Sequence, residues 1–100
     1  MKPTLGRTVY CIYSDCILIE EVYAIGKDSF IVASFGEETY ADSWEWYFND
    51  YEKTWFTSLP NAKKKLLADI HKRYPEREFK VVKNGKYYYE VNEVEKWKRV

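Results

Sequence analysis

The sequence predicts an α+β domain: a strongly bent antiparallel sheet or small open β-barrel, one helix packed on it, and a C-terminal β-hairpin. Three observations predict this class. Short β-branched and aromatic runs alternate with turn residues over 8–35, apolar residues recur at helical spacing over 59–73, and strand-forming residues flank an Asn-Gly pair over 79–91. The 100 residues contain no linker or repeat, so we expect a single domain spanning 1–100.

About five strands are expected before the helix. Two turns, Ser14-Asp15 and Gly26-Lys27-Asp28, divide the first three strands. The Glu20-Glu21 pair interrupts the alternation of the second strand, which predicts a bulge or a strong bend there. Residues 45–52 also permit a helix, because propensity alone is weak evidence. The expected strands are Thr8–Tyr13, Cys16–Ile25, Ser29–Phe35, Trp44–Phe48 and Thr54–Phe56.

One helix is expected at 59–73. Ser58 suits its N-cap, and Pro75 stops it near Tyr74. After the helix, Asn84-Gly85 accepts the two positive φ values of a type I′ turn, which predicts a hairpin over 79–91. Residues 92–100 fit either a short helix or a last edge strand. The residues expected in the core are Val9 or Tyr10, Ile12, Ile17, Ile19, Ile31, Trp46, Phe56, Leu66 and Ile70.

Three stretches of the first 70 residues resemble a known group of proteins. They are TVYCIYSDCILIEEVYAIG, SFIVASF and DYEKTWFTSLPNA. The chain is similar in them to small proteins encoded by phages and mobile elements of gut Firmicutes, which have a Tudor- or Src-homology-3-like small β-barrel followed by a helix. The positions that match the motif of this group are Asp50, Lys53, Thr54, Phe56, Ser58 and Ala62.

Two residues depart from the motif of these proteins. Glu52 replaces their usual glycine, and Asn61 stands where a capping-box glutamate is usual, which weakens the helix cap. The motif is structural and contains no catalytic group. The resemblance therefore implies a fold and an origin, and it implies little about mechanism.

The residues give little support to enzymatic function. The chain has no nucleophile elbow, zinc-protease, P-loop or dinucleotide-binding motif. His71 is the only histidine and is expected in solvent, and Cys11 and Cys16 are expected as small core residues more than as a redox pair. We therefore expect no catalytic activity, no cofactor and no metal site. No apolar run approaches the roughly 18 residues of a membrane span, so we expect a cytoplasmic protein.

Aromatic residues make up 19% of the chain, and eight of them fall between Tyr40 and Phe56 together with several acids. A domain of this size cannot easily bury so many large rings, so some are expected at the surface as a contact platform. Exposed rings beside carboxylates suit a basic protein surface and repel phosphates. The residues expected to bind a partner in this way are Glu37, Glu38, Tyr40, Asp42, Glu45, Tyr47, Tyr51 and Trp55.

The charge is unevenly distributed along the chain. Residues 1–52 contain three bases and ten acids, and residues 53–100 contain thirteen bases and six acids. Either the two sets mix in the fold, or they form acidic and basic sides of one surface. A basic side with exposed tyrosine would suit single-stranded nucleic acid. The residues expected in that alternative are Lys63, Lys64, Lys65, Lys80, Lys83, Lys86 and Tyr88.

The leading hypothesis is therefore a non-enzymatic accessory protein of a phage or mobile element that binds a basic surface of a host protein. The resemblance implies one such role, inhibition of a bacterial defence system. No residue of the chain points to it. Direct nucleic-acid binding through the basic residues is the alternative, and a small ligand held between aromatic rings is a third class.

Overall fold

The computed structural model describes residues 1–34 and 44–94 and confirms the α+β class. The acidic loop expected before Trp44 and the last residues of the chain, 95–100, lie outside the described residues. The elements are β1 (Thr8–Tyr13), β2 (Cys16–Ile25), β3 (Ser29–Ser34), β4 (Trp44–Tyr47), a 3-10 turn (Phe48–Asp50), β5 (Trp55–Phe56), α1 (Leu59–Arg73), β6 (Phe79–Lys83) and β7 (Tyr88–Glu93).

The sheet is organised around β2. Strands β4-β3-β2-β1-β5 follow one another in this order and curl into a half-barrel. One side of β2 pairs with β1. Its other side pairs first with β7 and then with β3. The N–H of Ile19 donates to the carbonyl of Tyr87 at 2.8 Å, and pairing with β3 begins at Glu20. The change of neighbour falls where the sequence predicts a bend, and the register shift itself lies between Val22 and Ala24.

Alternate strand residues fill two cores on opposite faces of the sheet. The inner face of the half-barrel holds Val9, Cys11, Val22, Phe30, Val32 and Trp55. The outer face, covered by α1, holds Ile17, Phe56, Ala62, Leu66 and Ile70. Consecutive residues of a strand point to opposite faces, so the neighbours Trp55 and Phe56 belong to different cores.

Most of the predicted core is confirmed, and one residue is misplaced. Five of the expected residues are buried: Val9, Ile17, Phe56, Leu66 and Ile70. Three are half-buried: Ile12, Ile19 and Trp46. The prediction for Ile31 is wrong, since its side chain is 37% exposed. Its neighbours Phe30 and Val32 occupy the inner face, which turns Ile31 outward, and α1 packs against β1, β2, β5 and β6.

The helix follows the sequence prediction at both ends. It spans Leu59–Arg73, and the N–H of Asn61 donates to the Ser58 hydroxyl at 3.4 Å, a long capping bond. The Ser14-Asp15 turn is also confirmed. Both residues have positive φ, at 50° and 61°, and the flanking Tyr13 and Cys16 are paired.

The β6–β7 hairpin is confirmed, but the type I′ turn expected at Asn84-Gly85 is wrong. Lys83 pairs with Tyr89, and the N–H of Asn84 donates to the carbonyl of Tyr88 at 3.0 Å, so the loop is longer than two residues. Gly85 has a positive φ of 83°, whereas Asn84 does not.

Packing against the core on the outer face explains the longer loop. In the observed register Val81 pairs with Val91, and both side chains contact the core on the outer face. A two-residue turn would instead place Glu90 beside Phe79 on this apolar side. Because a register shift by an odd number of residues exchanges the side chains on the two faces, the packing of Val91 against this core selects the longer loop.

The turn before β5 holds Glu52 in a left-handed backbone conformation. Glu52 has a φ of 63°, and its N–H donates to the carbonyl of Trp55 at 2.8 Å. Holding a residue other than glycine in the left-handed region costs about 1–2 kcal/mol of stability. Glycine removes this cost, but its greater conformational freedom in the unfolded chain offsets part of the gain. We expect Glu52→Gly to raise the free energy of unfolding by about 0.5–1 kcal/mol in urea denaturation.

Lys53→Gly is the matched control, because Lys53 has no positive φ. This substitution increases the conformational freedom of the unfolded chain and relieves no strain in the folded one. It should therefore lower the free energy of unfolding by about 0.5–1 kcal/mol. Equal losses in the two variants would show that Glu52 is not strained.

Candidate partner-binding surface

The part of the outer face that lies on β2, β3 and β4 carries exposed side chains. The cross-strand register pairs Glu21 with Ala33, Ile31 with Glu45, and Ser29 with Tyr47, so their side chains share this side of the sheet. The bulged Tyr23 lies with Glu21 and Ala33 in the lining of a shallow groove of about 300 Å³. We call the set Glu21, Tyr23, Ile31, Glu45 and Tyr47 the acidic-aromatic face.

Exposure is the property that distinguishes this face. Tyr23 is 49% exposed, Tyr47 is 51% exposed, and both carboxylates, of Glu21 and Glu45, are exposed. Together with Ile31, three large apolar side chains therefore meet solvent beside two negative charges.

Glu45 organises the centre of the face. The Ser29 hydroxyl donates to one of its carboxylate oxygens at 2.6 Å, and the Tyr47 hydroxyl donates to the other at 3.3 Å. The negative charge of Glu45, together with this hydrogen bond, raises the pKa of Tyr47 above its ordinary value. The phenol hydroxyl of Tyr47 is thus directed toward the carboxylate of Glu45.

The structure places only some of the predicted partner-binding residues at the surface. Glu45 and Tyr47 are exposed, as expected. Tyr51 is half-buried, with its hydroxyl 2.9 Å from that of Thr57. The expectation that Trp55 lies at the surface is wrong, because its side chain is fully buried in the inner core. The other four predicted residues lie outside the described residues: Glu37, Glu38, Tyr40 and Asp42.

Three members of the face were missed at the sequence level. Glu21, Tyr23 and Ile31 belong to strands that the sequence predicts correctly, and their alternation with the inward Val22, Phe30 and Val32 was the available signal. The alternation says which residues share a face. It does not say which part of that face the helix leaves uncovered.

The predicted basic residues do not form one surface. The Lys63 ammonium lies 4.8 Å from the centre of the Tyr89 ring, and that of Lys86 lies 5.4 Å from the centre of the Tyr87 ring. Lys83 is the cross-strand neighbour of Tyr89 and so joins this group. The structure therefore assembles Lys63, Lys83 and Lys86 around two half-buried tyrosines, Tyr87 and Tyr89.

The remaining basic candidates lie elsewhere. Lys64 and Lys65 line a different groove with Asn61 and Glu52, and Lys65 forms an ion pair with Asp69 at 3.0 Å. Lys80 and Tyr88 point to the opposite side of the hairpin from Lys83 and Tyr89, because they alternate with them along β6 and β7.

The two thiols lie on the inner face and are separate. Cys11 pairs with Leu18 across the sheet, whereas Cys16 pairs with Tyr13, and both cysteines are free. Burial, and secondarily the charge of Glu20, raises the pKa of Cys11 well above its ordinary value. Burial and nearby carboxylates also raise the pKa of Cys16. Both sulfurs are therefore held as thiols.

Within residues 1–34 and 44–94, no three His, Cys, Asp or Glu side chains are grouped as a metal site would require. No helix in the described part of the chain is long and apolar enough to cross a membrane. Comparison with models of protein families, with curated proteins and with solved structures found no match to the chain.

The bond between Glu45 and Tyr47 can be tested by titration. Because the charge of Glu45 is the main cause of the raised pKa of Tyr47, Glu45→Gln should lower that pKa toward its ordinary value. The measurement is a pH titration of the Tyr47 ring followed by NMR. Asp50→Asn is the control and should have a smaller effect, since Asp50 is the weakest of the contributing charges. An unchanged pKa in Glu45→Gln would contradict the geometry.

Proposed function

We propose that this protein acts without catalysis, by binding another protein through its acidic-aromatic face. The observation that supports the proposal most directly is the juxtaposition of exposed rings and carboxylates. Tyr23, Tyr47 and Ile31 provide apolar contact area, while Glu21 and Glu45 provide charge on the same side of the sheet. The strands hold this arrangement before any partner arrives, which lowers the entropy cost of binding.

The chemistry of the face favours one kind of partner. Tyrosine contributes strongly to protein interfaces, and arginine stacks on its ring while pairing with a nearby carboxylate. A surface rich in Arg and Lys therefore fits best. Charge complementarity of this kind mainly accelerates association and makes it depend on salt. Nucleic acid fits this face poorly, since its phosphates would meet two carboxylates.

The proposed biological setting rests on the resemblance described above. On that basis we place the protein among the cytoplasmic accessory proteins of phages and mobile elements, and its partner among host proteins. One role of such accessory proteins is inhibition of a bacterial defence system, and its assignment to this protein rests on the resemblance and on no residue.

A second candidate function is direct binding of nucleic acid. The observation that favours it is the group of Lys63, Lys83 and Lys86 around Tyr87 and Tyr89. No carboxylate among the described residues lies within 4.0 Å of these three ammonium groups. Steeply salt-dependent binding of a labelled oligonucleotide, lost in Lys63→Glu with Lys86→Glu, would support this candidate.

The leading proposal predicts a charge-dependent interaction. The variant Glu21→Lys with Glu45→Lys reverses both charges of the acidic-aromatic face. In a pull-down from nuclease-treated host lysate, followed by mass spectrometry, it should lose proteins that the unmodified chain recovers. With the purified partner, association should be slower and less sensitive to salt.

Glu52→Lys provides the matched control, because Glu52 is an exposed acid beside the helix and outside the face. It should recover the same proteins as the unmodified chain. Equal recovery by the double variant would reject the acidic-aromatic face. Recovery that disappears after nuclease treatment would favour the second candidate.

A further inference from the structure

The hydrogen-bond pattern of the hairpin leaves one edge of β6 open. The N–H of Val94 donates to the carbonyl of Glu78, and that of Asn84 donates to the carbonyl of Tyr88. In an antiparallel ladder only every second residue bonds to a given neighbour. Lys80 and Val82 therefore bond to β7, and the backbone groups between them point away from it.

These outward groups belong to Phe79, Val81 and Lys83. Each contributes one N–H donor and one C=O acceptor. Among the described residues, none of these three has a backbone hydrogen bond outside the β6–β7 pair. Since β6 is the last strand on this side of the sheet within residues 1–34 and 44–94, it presents a template for one more strand.

A groove lies beside the first residues of this edge. It has a volume of about 490 Å³ and is formed between α1 and the segment that leads into β6. Its apolar lining residues are Leu67, Ala68, Pro75 and Phe79, and its polar lining residues are His71, Glu76, Arg77 and Glu78. A strand added to β6 would place its outer-face side chains against α1, at this groove.

We propose that the added strand is β6 of a second copy of this chain, giving a two-fold symmetric dimer with one continuous sheet. Antiparallel pairing centred on Val81 brings the three outward residues of each strand opposite one another. In this register Val81 faces Val81 of the partner copy, and Phe79 faces Lys83. Every outward N–H and C=O of both strands then has a partner.

The side chains agree with this register. Lysines on an edge strand usually discourage pairing with another edge. Here each Lys83 lies opposite Phe79 of the other copy, and each Lys80 lies opposite Val82. The Phe79 ring already has the guanidinium of Arg77 at 5.3 Å from its centre. No lysine faces a lysine. Lys83 of one copy also comes near the groove of the other, whose charged lining residues are Glu76, Glu78 and Arg77.

Because a two-fold interface uses the same patch twice, pairing through β6 closes at two copies and does not propagate into a filament. The acidic-aromatic face lies on β2, β3 and β4 and takes no part in this contact. The dimer would therefore present two copies of that face.

Disulfide trapping tests the register. In a hydrogen-bonded antiparallel pair the opposed Cα atoms are about 5.5 Å apart, which a disulfide can span. Val81→Cys, in a Cys16→Ser background, should form a covalent dimer under mild oxidation that reductant reverses. Val82→Cys in the same background is the control. Position 82 of one copy would be only a diagonal neighbour of position 82 in the other, about 7–8 Å away. The control should not crosslink.

Mass in solution tests the dimer without any added cysteine. Light scattering coupled to gel filtration should show the mass rising toward two chains as concentration increases. Val81→Pro should abolish this rise and keep the native circular dichroism, since the Val81 N–H points away from β7. A monomer at every concentration would overturn the proposal and leave the edge to a strand of another protein. Equal crosslinking by Val81→Cys and Val82→Cys would also overturn it.

Discussion

The half-barrel depends on one buried side chain, that of Trp55. Strands β4 and β5 are the two ends of the curled strand order β4-β3-β2-β1-β5, and no ladder joins them among the described residues. The indole N–H of Trp55 makes this connection by donating to the carbonyl of Tyr47 at 2.7 Å. Because the N–H of Phe48 donates to the carbonyl of Asp28, alternation along β4 turns the Tyr47 carbonyl away from β3, toward the indole.

The same ring also organises the inner core. It meets Phe30 of β3 edge-on with ring centres 4.7 Å apart, and it meets Tyr51 at the same distance. Its backbone pairs with Cys11 of β1. A side chain thus replaces a strand ladder as the link between the ends of the sheet. With β4 fixed in this way, Trp46 packs inward while Glu45 and Tyr47 point outward, so closure of the half-barrel also determines the acidic-aromatic face.

Periodicity predicted the elements well, because helix and strand spacing are properties of short stretches of sequence. The bounds of α1, β1 and β2 follow directly from it. Trp55 was misplaced because β5 has only two residues and so has no alternation that assigns a face. Ile31 was misplaced because the sequence does not show how far α1 reaches across the outer face.

The hairpin loop was misjudged for a different reason. Asn84-Gly85 favours a two-residue turn locally, but the register of β7 is set by its pairing with β2 and by the packing of Val91 against the core on the outer face. The acidic-aromatic face shows the same limit of prediction from short stretches of sequence. Its residues lie on three strands, and only the register between those strands brings Glu21, Ile31 and Glu45 to one place.

Hydrogen exchange of the tryptophan indole protons, followed by NMR, tests the role of Trp55 most directly. If the Trp55 N–H closes the half-barrel, it should exchange only when the whole domain unfolds, and its exchange should accelerate with denaturant as global unfolding does. The indole of Trp44, which is 38% exposed, should exchange far faster. A Trp55 proton that exchanges as rapidly as that of Trp44 would contradict this account of the fold.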